Sequence, residues 1–290
     1  MKPAPFVLDT PTSVPEALDL LAEHGYDAKI LAGGQSLVPM LNFRLVRPDH
    51  LIDINKLTEL AYIRLEGDHL ALGALTRQAD VEDSALVDEN APLISMAIKN
   101  IAHRQIRNRG TVGGSLVHND PSAEMPLTLL CLGAEVRLAS VRGTRTVPVS
   151  EFILPWLATT AEADELLVEI RIPVQQSGTG IGFHELARRA GDFALAAAAT
   201  TVRLAADGTV VEASLAACAA RVAQKLPTAE AALVGQVPSD EVIAAAAAAA
   251  AGEVDPVADI HADADYRRHL VKVLTTRALR DAVDNAKEMK

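Results

Sequence analysis

The chain has 290 residues, 49% of them hydrophobic and 22% charged, and a formal net charge of −11. That length holds one large domain or two ordinary ones with a real core, and the composition is that of a globular protein rather than a disordered tail. The acidic balance argues against a nucleic-acid or anionic-membrane partner, because both need a basic surface.

No apolar run reaches the roughly 20 residues of a membrane span. The opening "MKPAPFVLDTP" lacks the long apolar segment of a secretory signal, so a cytoplasmic location is expected. Cys131 and Cys218 stand 87 positions apart in apolar surroundings. That spacing excludes a CxxC zinc site or an iron–sulfur cluster held by this chain alone, and both read as buried structural thiols.

Residues 12–25 read as a helix, with Ser13 and Glu16 as a capping box, Leu18, Leu21 and Ala22 on one face, and Gly25 at the C-terminal cap. "AKILA" (28–32) reads as a short buried strand, followed by the turn "GGQS". A short helix then begins near Ser36 with Leu37, Met40 and Leu41 inward, and "HLIDI" (50–54) is another strand. This unit implies a small mixed sheet. From 58 to about 175, short strands ("HLALGAL", "AEVRLAS", "ELLVEIRIP") alternate with amphipathic helices. One helix is expected to start at Asp120-Pro121, carry Leu127, Leu130 and Cys131 inward, and end at Gly133.

"VQQSGTG" (174–180) is the most linker-like stretch and marks a third unit. Two long strands, "FALAAAATTVRL" and "VVEASLAACAA", flank the hairpin signal Asp207-Gly208. Helices are expected at 227–234, in the alanine-rich 240–251, and at 264–288, since alanine is the best helix former.

The chemistry concentrates in two glycine turns, "AGGQS" at 32–36 and "TVGGS" at 111–115. Backbone N–H groups converging in such turns can hold a pyrophosphate without any lysine. Glycine accepts positive φ and removes the Cβ that would block phosphate oxygens. Five hydrogen bonds to a charged group would supply on the order of 7–15 kcal/mol before ordering costs, against about 0.2–1 kcal/mol for an exposed ion pair. Neither turn has the GxGxxG spacing of a Rossmann site or the GxxxxGK[ST] of a P-loop. No GxSxG elbow, no nucleophile with a nearby base, and no HxH or HxxxH pair occurs, so no catalytic or metal-ligating set is assigned and a cofactor is expected to carry the chemistry.

"AGGQSLVPML" and "IAHRQIRNRGTVGGSLVHNDPSAEMP" resemble the two flavin-binding segments of the FAD-binding medium subunit of molybdenum hydroxylases, the carbon monoxide dehydrogenase and xanthine dehydrogenase family. "FHELARRAGDFALAAAA" (183–199) resembles a third segment, at the start of that family's C-terminal domain. The similarity runs from about residue 4 to 285. It implies an α+β protein: a two-part FAD-binding domain of the vanillyl-alcohol-oxidase (PCMH) type over 1–176, with lobes of about 1–57 and 58–176. A smaller domain over 177–290 would follow, an antiparallel sheet packed by helices.

By this resemblance, Lys29, Ile30, Leu31, Ala32, Gly33, Gly34, Gln35, Ser36 and Leu37 hold the pyrophosphate and part of the adenosine. Thr111, Gly113, Gly114 and Ser115 close over the other side, and Ile101 and Ala102 pack against the cofactor. Asp120 and Glu124 lie near the ribose or the sugar-alcohol chain, Leu167 lines the pocket, and Phe193 abuts the isoalloxazine ring. Taken alone, Glu124 also fits an exposed first-turn acid, Phe193 plain core, and the Arg104, Arg107 and Arg109 knot either an ion-paired face or a contact to phosphate or a docking subunit. Some relatives carry tyrosine at the Phe193 position, and some carry lysine where this chain has His184 and Glu185.

The same resemblance implies a large molybdenum-cofactor subunit and a small subunit with two [2Fe–2S] clusters as partners, in a dimer of heterotrimers. Electrons would pass through FAD in this chain to NAD, a quinone, a carrier protein or oxygen, leaving the isolated chain with little turnover. A self-contained flavin oxidase and a non-enzymatic nucleotide-binding protein are the alternatives.

Overall fold

The computed structural model describes residues 1–289. The first lobe is a three-stranded sheet of β1 (Val7–Asp9), β2 (Ala28–Leu31) and β3 (His50–Asp53) in the order β1-β3-β2. Both pairings are parallel, so the sheet is not the mixed one expected from sequence. Strand β1 is too short and too exposed, with Val7 and Leu8 both facing outward, to leave an alternating signature. Because β2 is an edge strand, "AKILA" is not buried as expected: only Ala28 is, while Lys29 is exposed.

The first helix spans Val14–His24, with Ser13 accepting from the Glu16 amide and Gly25 capping at φ 51°. The Glu16 carboxylate accepts from Thr12 rather than from the Ser13 amide, at 2.7 Å. Its buried residues are Ala17 and Leu21, and Ala22 is exposed, so the apolar face lies to one side of the expected one.

The second lobe is built on a five-stranded antiparallel sheet, β4 (Ile63–Glu66), β5 (His69–Gly73), β6 (Glu135–Ser140), β7 (Gly143–Pro148) and, centrally, a later strand over Leu166–Pro173. Between them in the chain lies a two-stranded hairpin, β8 (Ile153–Leu154) with β9 (Ala158–Thr159), which makes the central strand β10. The helix expected from Asp120 begins instead at Glu124 and runs to Cys131. Asp120 closes a tight turn by accepting from the Ser122 amide, which holds the chain out of helix for three more residues. All eight residues of this helix are buried, not one face only, because it is sandwiched between the second lobe and the third unit.

That third unit is a four-stranded antiparallel sheet, β11 (Thr179–Ala187), β12 (Ala194–Leu204), β13 (Val210–Cys218) and β14 (Gln224–Lys225). It is packed by helices Pro227–Leu233, Asp240–Glu253 and Ala264–Glu288. The alanines of β12 serve both faces: Ala197 and Ala199 join the second lobe's core, while Ala196 and Ala198 face the helices. The linker-like stretch therefore joins units that share a continuous apolar core. Cys131 and Cys218 are both free and buried within it, and burial pushes the Cys131 thiol up to about 11 and Cys218 higher still. No helix among the described residues is long and apolar enough to cross a membrane.

Strand β11 left no sequence signal because two of its residues are glycines. A Cβ at Gly182 would lie 2.0 Å from the Ala278 carbonyl oxygen, so the long C-terminal helix rests directly on strand backbone. Thr200 reinforces the contact by donating to the same carbonyl at 3.0 Å. Gly182→Ala should therefore cost about 3 kcal/mol or more by overpacking, seen as a thermal midpoint lowered by at least several degrees with the far-ultraviolet spectrum unchanged before the transition.

Candidate functional site

The two glycine turns, far apart in sequence, meet in space. The first follows β2, where Gly34 takes φ +73° and a helix begins at Leu37. A Cβ on Gly33 would stand 2.4 Å from the Arg109 carbonyl oxygen and 2.9 Å from the Gly110 Cα, so the turn lies against the backbone that leads into the second. Two side chains knit them together. Asn55 donates to the Ala32 carbonyl at 2.8 Å and accepts from Arg77 at 2.8 Å, and Arg77 donates to the Arg109 carbonyl at 2.6 Å. A cleft of ≈ 410 Å³ opens beside this seam, lined by Ala32–Gln35, Asn55 and Arg109 among others.

The turns differ in what they offer a ligand. Among the described residues, the amides of Gly33, Gly34, Gln35 and Ser36 donate to no protein acceptor. In the second turn the donors are already engaged: Gly113 to the Ala74 carbonyl, Gly114 to the Thr111 hydroxyl, and Ser115 to the Thr111 carbonyl. Thr111 is thus the N-cap of helix Val112–His118. Gly113 lets that helix touch Ala74, where a Cβ would lie 2.6 Å from the carbonyl oxygen, and Gly114 faces Ala32. The expectation that both turns present amides to a diphosphate therefore narrows to the first turn. The second supplies close approach and the half-buried Ser115 side chain. Four unengaged amides beside a glycine-lined cleft suit the pyrophosphate of a dinucleotide.

A second cleft of ≈ 750 Å³ opens between the second lobe and the third unit, lined by Lys99, Ala102, His103, Arg107, Glu185 and Arg189 among others; of the remaining expected positions only Ala102 lines it, and Ile101, Asp120, Glu124, Leu167 and Phe193 do not. Ala102, at φ 43°, lines the cleft, and Arg107 donates to the Ile101 and Ala102 carbonyls. Gly191 (φ +76°) presses against them, since a Cβ there would lie 2.7 Å from the Ala102 carbonyl oxygen. Phe193 follows on the same loop with 69% of its surface exposed, so it is not core. Leu167 is buried within the second lobe, paired with Leu138 beside a strand irregularity. Lys29 is exposed on β2, while Ile30, Leu31 and Leu37 are half-buried.

Of the arginine knot, Arg107 makes a two-pronged pair with Glu82 at 2.8 and 2.9 Å, and Arg104 pairs with Glu82 and Asp83. Arg109 lines the first cleft, and Arg104 and Arg107, while paired to carboxylates, line the second. Glu124 is buried at the start of its helix, not exposed, and burial together with the nearby Glu185 and Asp120 carboxylates pushes it up to about 8. Burial likewise pushes Glu185 to about 7. His184 points the other way and pairs with Asp281 on the C-terminal helix at 2.8 Å.

Two lobes meeting at a glycine-lined cleft with unengaged amides, and a third antiparallel sheet packed against the second lobe, define a dinucleotide-binding flavoprotein class of fold. Residues 5–175 match the family described as "FAD binding domain in molybdopterin dehydrogenase", and 181–282 match the "CO dehydrogenase flavoprotein C-terminal domain". The chain is 42% identical to the 6-hydroxypseudooxynicotine dehydrogenase complex subunit alpha of Paenarthrobacter nicotinovorans, over 100% of this chain and 98% of that one. It superposes with TM-score 0.95 and 40% identity on a chain of the carbon monoxide dehydrogenase of Hydrogenophaga pseudoflava, covering 98% of this chain and 99% of that one. Against quinoline 2-oxidoreductase of Pseudomonas putida 86 the TM-score is 0.94 with 37% identity, covering 99% of each chain. The chain belongs to the FAD-binding medium subunits of the molybdenum hydroxylase family, and is an oxidoreductase subunit.

Asn55, Arg77 and Gly191 lay outside the sequence expectation. Arg77→Ala should loosen the seam between the turns and weaken FAD retention about tenfold, measured by flavin release on dilution, while leaving the circular-dichroism spectrum intact. The raised Glu124 has its own signature. Its native form holds a proton that the unfolded chain releases near the ordinary value of 4.5, so it withdraws stability as pH rises from there through about 8. Glu124→Gln should therefore gain thermal stability over wild type at pH 9 and show the smallest difference near pH 4.

Proposed function

We propose that this chain holds FAD across the two clefts and relays electrons from a small [2Fe–2S] subunit to an external acceptor, in a complex whose large molybdenum subunit oxidises the substrate. The observation that carries the reading is the set of unengaged amides at Gly33–Ser36, brought against the second glycine turn. Bound FAD would supply the conversion between two-electron and one-electron transfer. The chain's residues would bind and orient. Gly33, Gly34, Gln35 and Ser36 donate to the pyrophosphate, joined by Ser115, with Thr111, Gly113 and Gly114 fixing the second turn. Arg109 and Asn55 line the adenosine side, with Lys29, Ile30, Leu31, Ala32 and Leu37 as its strand and helix walls.

Ile101, Ala102 and Phe193 would flank the isoalloxazine ring. Asp120 and Glu124 would face the hydroxyl-bearing chain, with Leu167 beneath. Large and small partner subunits fit the "medium chain" and "medium subunit" of the relatives' names; we infer a dimer of heterotrimers, with a nicotinamide, a quinone, a carrier protein or oxygen as acceptor. The substrate is chosen by the large subunit.

Purified chain reconstituted with FAD should bind one flavin. Gly33→Val should bind none, because its side chain meets the Arg109 carbonyl, while the helical signal persists. Wild-type chain that stays colourless in excess FAD, or a variant with full flavin content, would count against the assignment. Flavin reduction by a hydroxylase substrate should require both partner subunits; reduction of the isolated chain would favour the self-contained oxidase. Phe193→Ala should shift the flavin spectrum or potential more than FAD affinity, and no movement in either would remove Phe193 from the site.

A further inference from the structure

Three side chains from separate elements of the first lobe converge away from both clefts. His24 ends the first helix, His50 opens β3, and Asp9 ends β1. Their ligating atoms all lie within 4.8 Å of one another, and no other such group of three or more occurs among the described residues. The His50 Nδ1 and an Asp9 carboxylate oxygen are 2.9 Å apart, and the two imidazoles lie face to face with centroids 3.6 Å apart and planes 11° from parallel. The side chains of His50 and Asp9 are 24% and 21% exposed, shielded yet open to an ion. His50 begins β3 and Asp53, which lines the first cleft, ends it, about 10 Å further along the strand, while Asp9, in register with Ile52, reaches back to His50.

We propose that Asp9, His24 and His50 form a binding site for a borderline divalent transition-metal ion, zinc above all, with one position left to water. Two imidazoles and one carboxylate are a donor set that suits such ions and not magnesium or calcium, which take oxygen ligands. Metal–ligand bonds of about 2.0–2.1 Å place donors roughly 3.3 Å apart in a tetrahedron, within reach of the present spacings. Parallel rings cannot both direct their in-plane lone pairs at one ion, so binding opens the stack. His24 is the ring free to swing, because it is the last helical residue and is followed by Gly25 at φ 51°. Once bound, the ion would clip the three-residue strand β1 and the helix end to the middle strand of the sheet, tightening the scaffold from which the first glycine turn projects.

The test is titration of purified, metal-stripped, FAD-loaded chain with zinc chloride, and with cobalt chloride for its visible spectrum. One equivalent of zinc should bind with micromolar or tighter affinity and raise the thermal midpoint by several degrees, while magnesium should do neither. Cobalt should give the intense visible absorption of a four-coordinate site. His24→Ala, a change at a helix end that leaves the fold standing, should weaken zinc at least tenfold without changing flavin content. Asp9→Asn should weaken it less. Absence of a saturable one-to-one site, or equal affinity in His24→Ala, would overturn the proposal.

Discussion

The contact on which the rest of the architecture depends is backbone against backbone, Gly33 on Arg109–Gly110. Any Cβ at Gly33 would drive the two lobes apart, and the bridge from Ala32 through Asn55 and Arg77 to Arg109 would open with them. Held together, the lobes leave the Gly33–Ser36 amides pointing at space rather than at protein. Four hydrogen bonds to a charged group amount to about 6–12 kcal/mol before ordering costs. An exposed lysine would add about 0.2–1 kcal/mol. A chain of net charge −11 can therefore retain a dianionic bridge by geometry where its overall field opposes it.

The glycine turns look alike in sequence and divide the labour in space. In the first, glycine exposes donors. In the second, Gly113 lets a helix approach Ala74, and the amides serve that helix's own start. The third unit adds a further close approach, Gly191 on Ala102, and shares its core with the second lobe. The second cleft is therefore walled by elements that cannot separate without exposing β12 alanines and Cys218, which makes its shape a property of the whole fold rather than of one loop.

The two turns were legible because their residue types, their spacing and their place after a strand or before a helix are set by local chemistry. The third unit's two long strands and three helices were legible from periodicity and alanine content. What was not legible depends on partners distant in the chain. Asn55 and Arg77 are single polar residues in no pattern, defined only by the carbonyls they reach. Strand β11 hides behind glycines that exist for the C-terminal helix. The Asp120 turn delays a helix that propensity would start at once, and β1, an exposed three-residue strand without alternation, carries no sign of its pairing with β3.

The same distance explains Glu185 of the second cleft and the buried Glu124 near it. Glu124 read as an exposed first-turn acid or a ligand contact, yet the fold buries its helix on every side, and its neighbour Glu185 lies across the sheet from Ala197, which in turn pairs with Cys218. Strand alternation sends His184 to Asp281 and Glu185 to the cleft. With values of about 8 and about 7, Glu124 is mostly uncharged at neutral pH and Glu185 is near its midpoint. A protonated carboxyl can donate a hydrogen bond where a carboxylate cannot. The titratable side chains that line the second cleft of this acidic chain are thus mostly basic, Lys99, His103, Arg104, Arg107 and Arg189, beside Glu185, whose charge burial weakens.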